Sequence, residues 1–198
     1  MRKKLTGLMI LAVMFGAGCA TEVIRQQPQD VVDLSGRWND TDARLTSEEM
    51  IKSCVESGWL SNFNKAQGRD PVVIVGTIAN KSHEHINADV MVEDLSQALV
   101  NSGKVKFVAA KVERDEVRDE RQDQQDNARA ATRAALKQET GADFMLKGTI
   151  NSIVDEVKDQ YAVMFQVNLE LVDMTTNEKV WIGQKKVKKL VKHPQYSM

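Results

Sequence analysis

Tyr161, Val163, Phe165, Val167, Leu169 and Leu171 place an apolar side chain at every second position, with Gln166 and Glu170 among the residues between them. Period two is the geometry of an extended strand, in which successive side chains point to opposite faces. One face of this segment is therefore apolar throughout and must be covered, and the strand needs neighbours to pair with. Two neighbours lie close in sequence. Residues 144–154 and 179–190 read as strands, and Thr175, Thr176 and Asn177 form the turn into the last of them.

Upstream the period changes. Thr46 followed by Glu49 reads as a capping box, and Met50, Ile51, Cys54, Val55, Trp59, Leu60 and Phe63 recur at helical spacing, which predicts one amphipathic helix ending near Gly68. Residues 72–78 are a β-branched run suited to a strand covered on both faces. Asn87 can cap a second helix with Met91, Leu95, Ala98 and Leu99 inward and Gly103 as its stop, followed by a short strand over 105–109. Residues 113–140 predict a largely solvated helix, with Val117, Gln124, Ala128, Ala131 and Ala135 as a narrow inward stripe and Gly141 closing it. Helix and strand alternate first and strands meander last, so the expected fold is α/β (α+β): a mixed sheet of about five strands with helices packed on it.

The N-terminus has a different character. Arg2, Lys3 and Lys4 precede an apolar run over 5–15, then Gly16, Ala17 and Gly18 lead to Cys19. This is a signal peptide layout. The run is too short to span a bilayer of roughly 30 Å at about 1.5 Å per helical residue. The small residues before Cys19 resemble a lipobox, with Gly16 where an aliphatic residue is usual, and predict an acylated Cys19 after removal of residues 1–18. Two or more acyl chains would hold the chain on a membrane, and Ala20 after the cysteine resembles lipoproteins sent to the outer membrane. Residues 19–34 are expected to form a short tether stiffened only by Pro28, and 35–198 a single globular domain.

Without residues 1–18 the chain keeps 24 of its 27 basic residues against 28 acidic ones, a net charge of −4 that does not suggest nucleic acid as a partner. Cys54 is expected to be a buried thiol on a helix face. Catalytic patterns are poor. Ser102, Gly103 and Lys104 lack the glycine of a phosphate loop, since Ala98 stands in its place. His83, Glu84 and His85 bring two imidazoles to one side of a loop with no third ligand at metal spacing, and His193 stands apart near the C-terminus. The reading is a binding protein without enzyme activity, cofactor, metal or small-molecule substrate.

Residues 33–42, Asp-Leu-Ser-Gly-Arg-Trp-Asn-Asp-Thr-Asp, closely resemble the opening motif of the LpoB family of penicillin-binding protein activators. Further segments agree in order: Pro71 to Gly76 with Asn80-Lys81-Ser82, Glu113-Arg114 through Glu120-Arg121 with Gln124, Gly141 to Gly148, and Thr176 to Trp181. The resemblance implies a fold akin to the N-terminal domain of TolB. It also implies an outer-membrane lipoprotein, facing the periplasm, that stimulates a bifunctional class A penicillin-binding protein and so regulates peptidoglycan synthesis. Well-studied members carry a long proline-rich tether, whereas this one is short. The same fold family includes the subunit of the curli secretion channel, which keeps a component of an outer-membrane export assembly as the alternative.

Sheet geometry suggests where a protein partner would bind. If the strands over 72–78 and 105–109 run parallel, the loops that follow them leave at one edge, a common position for sites in open α/β sheets. That would bring Asn80, Lys81, His83 and His85 toward Arg114, Arg118 and Arg121. These arginines alternate with Asp115, Glu116, Asp119 and Glu120, so pairing along a solvated helix face is the alternative role for them.

Overall fold

A computed structural model describes residues 22–192, so the expected acylation at Cys19 and the remote His193 fall outside the described residues. The alternating segment is β4 (Gln160–Asp173), paired antiparallel with β3 (Phe144–Val157) on one side and β5 (Lys179–Lys192) on the other. Its apolar face is fully buried: Val163, Phe165, Val167, Leu169 and Leu171 are each at most 1 % exposed. Covering such side chains contributes roughly 1.5–3 kcal/mol apiece. With that face given to the core, β4 does not present the apolar outer face that a membrane-spanning hairpin needs.

Beyond β3 the sheet continues with β1 (Val72–Lys81) and β2 (Lys106–Phe107), both parallel to their neighbours, in the order β2-β1-β3-β4-β5. A mixed five-stranded sheet results, as the alternation of elements predicts. β2 pairs with β1 only at Val72 and Val73, which leaves the rest of β1 as an edge.

The predicted first helix is two. α1 (Asp40–Glu56) begins six residues before Thr46, because Asn39 and Asp42 form the capping box: each side chain accepts from the other's backbone N–H at 3.0 Å. Thr46 is instead a fully buried residue inside the helix, and Glu49 pairs with Lys185 of β5. Extended backbone at Ser57 breaks the chain, and α2 (Gly58–Gln67) follows, its Trp59 and Phe63 rings meeting Phe144 edge-on at 5.0 and 5.3 Å. Cys54 lies in this core, where burial pushes its thiol up to about 12, so it stays protonated.

α3 (Ala88–Ser102) agrees with the reading: Asn87 caps it, Gly103 ends it in the left-handed region at φ 62°, and Met91, Leu95 and Leu99 are buried. α4 (Lys111–Asn127) is shorter than expected and buries none of its residues. Residues 128–140 double back along it, since Gln125 Nε2 donates to the Ala134 carbonyl at 2.8 Å and Gln124 Oε1 accepts from the Ala134 N–H at 2.9 Å. A narrow stripe offered little apolar area to bury, and these side-chain bonds hold the return instead. Among the described residues no helix is long and apolar enough to cross a membrane.

Candidate functional site

The opening motif folds against β4 and β5. Gly36 passes so close to β4 and β5 that a Cβ would lie 2.6 Å from a Val191 methyl and 2.8 Å from the Tyr161 hydroxyl, which explains glycine there. Trp38 meets Phe165 edge-on at 5.4 Å, and its backbone N–H donates to Glu84 at 3.0 Å. Lys189 of β5 completes the packing by donating to Asp33 at 2.8 Å, Asp42 at 2.6 Å and the Arg37 carbonyl at 3.0 Å. Burial alone would lower the Lys189 pKa, but the Asp33 and Asp42 bonds outweigh it and the pKa is raised. These contacts lie within the compact unit that starts at Val31.

Glu84 ties this motif to the 80–87 loop. Asn80 organises that loop: its Nδ2 donates to the carbonyls of Glu84 and Ile86 at 2.8 and 3.4 Å, and its Oδ1 accepts from the Ser82 N–H and hydroxyl at 2.9 and 2.7 Å. His83 is fixed to β3 through Ser152, with Nδ1 3.1 Å from the Ser152 hydroxyl, while His85 and Lys81 are exposed. Asn80 is thus a loop organiser, and the cationic and imidazole groups are what the loop offers to solvent.

Arg118 and Arg121 take the alternative role of pairing with acids. Among the described residues no hydrogen bond or ion pair joins them to the loop. Arg118 donates to Glu139 at 2.8 and 2.7 Å and to Asp115 at 2.9 Å, and Arg121 donates to the same Glu139 at 3.0 Å. Those bonds from Arg118 and Arg121 lower the Glu139 pKa to about 2. Both arginines therefore hold the returning segment against α4. Arg114 lines a groove of about 740 Å³ with Gly76, Asp89, Met145 and Met174, and its Nε is buried there without a hydrogen-bond partner. The acidic residue that engages Arg118 and Arg121 lies about twenty positions downstream, beyond the reach of the three-and-four spacing along one helix.

The family model described as Peptidoglycan-synthase activator LpoB matches residues 42–187, from the first turn of α1 into β5. The chain belongs to the LpoB family. Solved structures similar to it include the LpoB C-terminal domain from Salmonella enterica, at 20 % identity over 74 % of this chain and 98 % of that one, with a TM-score of 0.38. The solution structure of Escherichia coli LpoB is 18 % identical over 88 % of this chain and 83 % of that one, with a TM-score of 0.40. Lipoprotein GNA1162 from Neisseria meningitidis is 17 % identical over 65 % and 88 %, with a TM-score of 0.38. A search of curated proteins found no match. As a member of the LpoB family the protein is an activator of peptidoglycan synthesis, a role exercised on a protein partner.

Proposed function

We propose that this LpoB-family protein is held at the outer membrane by acyl chains on Cys19, faces the periplasm, and binds and activates a bifunctional class A penicillin-binding protein. The observation that supports this most is the family match over 42–187. The packing of Gly36, Trp38 and Lys189 adds to it, because it fixes the motif that carries the family resemblance onto the sheet. Contact by the exposed part of the 80–87 loop, Lys81, His83 and His85, and by Arg114 belongs to this reading, with Asn80 organising the loop and Arg118 and Arg121 holding residues 128–140 against α4.

Reach is part of the proposal. With the folded unit beginning at Val31, the tether spans residues 19–30, and at ~3.4 Å per extended residue it reaches about 40 Å. The synthase must then present its regulatory surface within that distance plus the depth of the domain from the anchoring membrane. The test is reconstitution: acylated protein and a purified class A synthase from the same cell in detergent micelles, with polymerisation of lipid-linked disaccharide followed over time. A several-fold faster synthase with saturable dependence on the activator is the expected result. Unchanged synthesis together with no measurable binding would refute the reading.

A further inference from the structure

Helices α1 and α3 contact the sheet and each other on the face that carries Val167, Leu169 and Leu171. On the opposite face, near Ile74 and Met145, Ala110, Val112, Gly141 and Ala142 line the groove already described. Register shows what the rest of that face presents. Lys81, Asn151, Gln166 and Lys186 stand side by side across β1, β3, β4 and β5. The adjoining row is Ala79, Thr149, Asn168 and Gln184, and on the other side Ile153, Met164 and Lys188 follow.

The amides of these rows are organised among themselves: Gln166 and Gln184 both donate to Asn168 Oδ1, at 3.1 and 3.0 Å, and Asn151 donates to Thr149 at 3.1 Å. They form a flat neutral centre. The cations around it are not neutralised. Among the described residues Lys81, Lys186 and Lys188 have no ion pair; on the same face Glu170 is clasped by Lys147 and Lys179, and Asp155 stands at the far end in the row of Leu190. Six of the fourteen β5 residues are lysine and none is acidic, in a chain whose overall formal charge is −1. Of these, Lys186, Lys188 and Lys192 stand on this face by register, whereas Lys185 and Lys189 stand on the other and pair there with Glu49, Asp33 and Asp42.

Lysines on edge strands also discourage sheet-to-sheet pairing, and that accounts for Lys81, Lys186 and Lys188 taken alone. It does not account for the apolar side chains among them. Ile153, Ile182 and Leu190 on the same face are 62 %, 66 % and 60 % exposed, and a depression of about 310 Å³ opens between Ile182, Thr149 and Asn168. Exposed aliphatic residues around a polar, cationic centre are the composition of a protein-docking surface. A second copy of this chain would set lysine against lysine, which is repulsive.

We propose that this open sheet face docks an acidic surface of the protein partner, with Lys81, Lys186 and Lys188 reading its carboxylates and Ile153, Ile182 and Leu190 supplying the apolar contact. Lys81 and Lys186 lie three strand spacings apart, about 14 Å, so the complementary acids are spread over a folded surface and not a single side chain. The inference rests on the proposed activator reading and specifies where the synthase binds.

The experiment uses the full acylated chain and the purified class A synthase. Affinity is measured for the natural sequence, for Lys81→Glu/Lys186→Glu/Lys188→Glu, for Ile182→Ser/Leu190→Ser, and for a control, Lys104→Glu/Lys106→Glu. The triple reversal is expected to weaken binding at least about 30-fold and the serine pair about tenfold, with the control unchanged and thermal unfolding unaltered in all. Natural affinity is expected to fall as salt rises from about 50 to 300 mM. Full affinity in a folded triple variant would overturn the docking face while leaving the activator reading intact. Failure of the natural chain to bind the synthase would overturn the reading itself, and the docking face with it. Retained synthase affinity with lost co-sedimentation on purified sacculi would also overturn the inference and assign the face to the wall polymer.

Discussion

Single side chains hold the opening motif to the sheet, and Lys189 is the most constrained of them. Its ammonium stands between Asp33 and the nearly buried Asp42, whose side chain is 9 % exposed. Removing one partner of a buried pair typically costs 3–5 kcal/mol, and Asp33 at half exposure reduces that. Lys189→Met should therefore destabilise the domain by about 2–3 kcal/mol, read from urea unfolding with an unchanged slope. The folded pKa of Lys189 is raised, so this stabilisation is complete below the ordinary lysine value of 10.5 and is lost only as pH rises through the higher folded value. Trp38 is half-buried against Phe165, so Trp38→Ala should cost about 2–3 kcal/mol, below the usual range for a fully buried tryptophan. A melting temperature lower by about 5–10 °C would show it, and an unchanged one would refute a structural role for Trp38.

At the scale of elements, α4 and the returning 128–140 segment are held mostly by polar contacts. Arg118 and Arg121 depress the Glu139 carboxyl to about 2 from 4.5. A depressed carboxylate contributes stability above its unfolded pKa and loses it as pH falls through the folded one. The clasp is therefore expected to hold above about pH 4.5 and to release as pH falls toward 2. Hydrogen exchange of amides in 128–140 should accelerate over that window, while the buried β4 amides stay protected. Arg118→Glu would set a third carboxylate beside Asp115 and Glu139, so the same exchange should appear at neutral pH. The other element-scale tie is Asp143, which accepts from both Arg69 guanidinium nitrogens at 2.7 Å and from the Val72 N–H at 2.8 Å, joining the starts of β1 and β3. Asp143→Asn should lower stability by about 1–2 kcal/mol, moderated by the exposure of Arg69.

At the scale of the whole molecule, anchor and domain are expected to separate by experiment. Cys19→Ala should abolish incorporation of labelled fatty acid and leave the precursor uncleaved; unchanged labelling would place the anchor elsewhere. The same domain in micelles should still stimulate the synthase, because anchoring supplies local concentration and not contact chemistry. The sequence by itself determined the strands and the Asn87-capped helix, because those rest on local periodicity and on caps three residues long. It also carried the family motif whose membership the 42–187 match shows. The cap at Asn39 was legible in principle, since Asn39 and Asp42 have capping spacing, but Thr46 with Glu49 matched the same pattern more conventionally. Only the tertiary structure decided that Thr46 is buried, that Glu139 gathers Arg118 and Arg121, and that Lys81 shares a row with Lys186. Partners separated by twenty to over a hundred residues meet through sheet register and chain reversal, and the pattern of neighbours along the chain carries no record of which distant side chain arrives opposite.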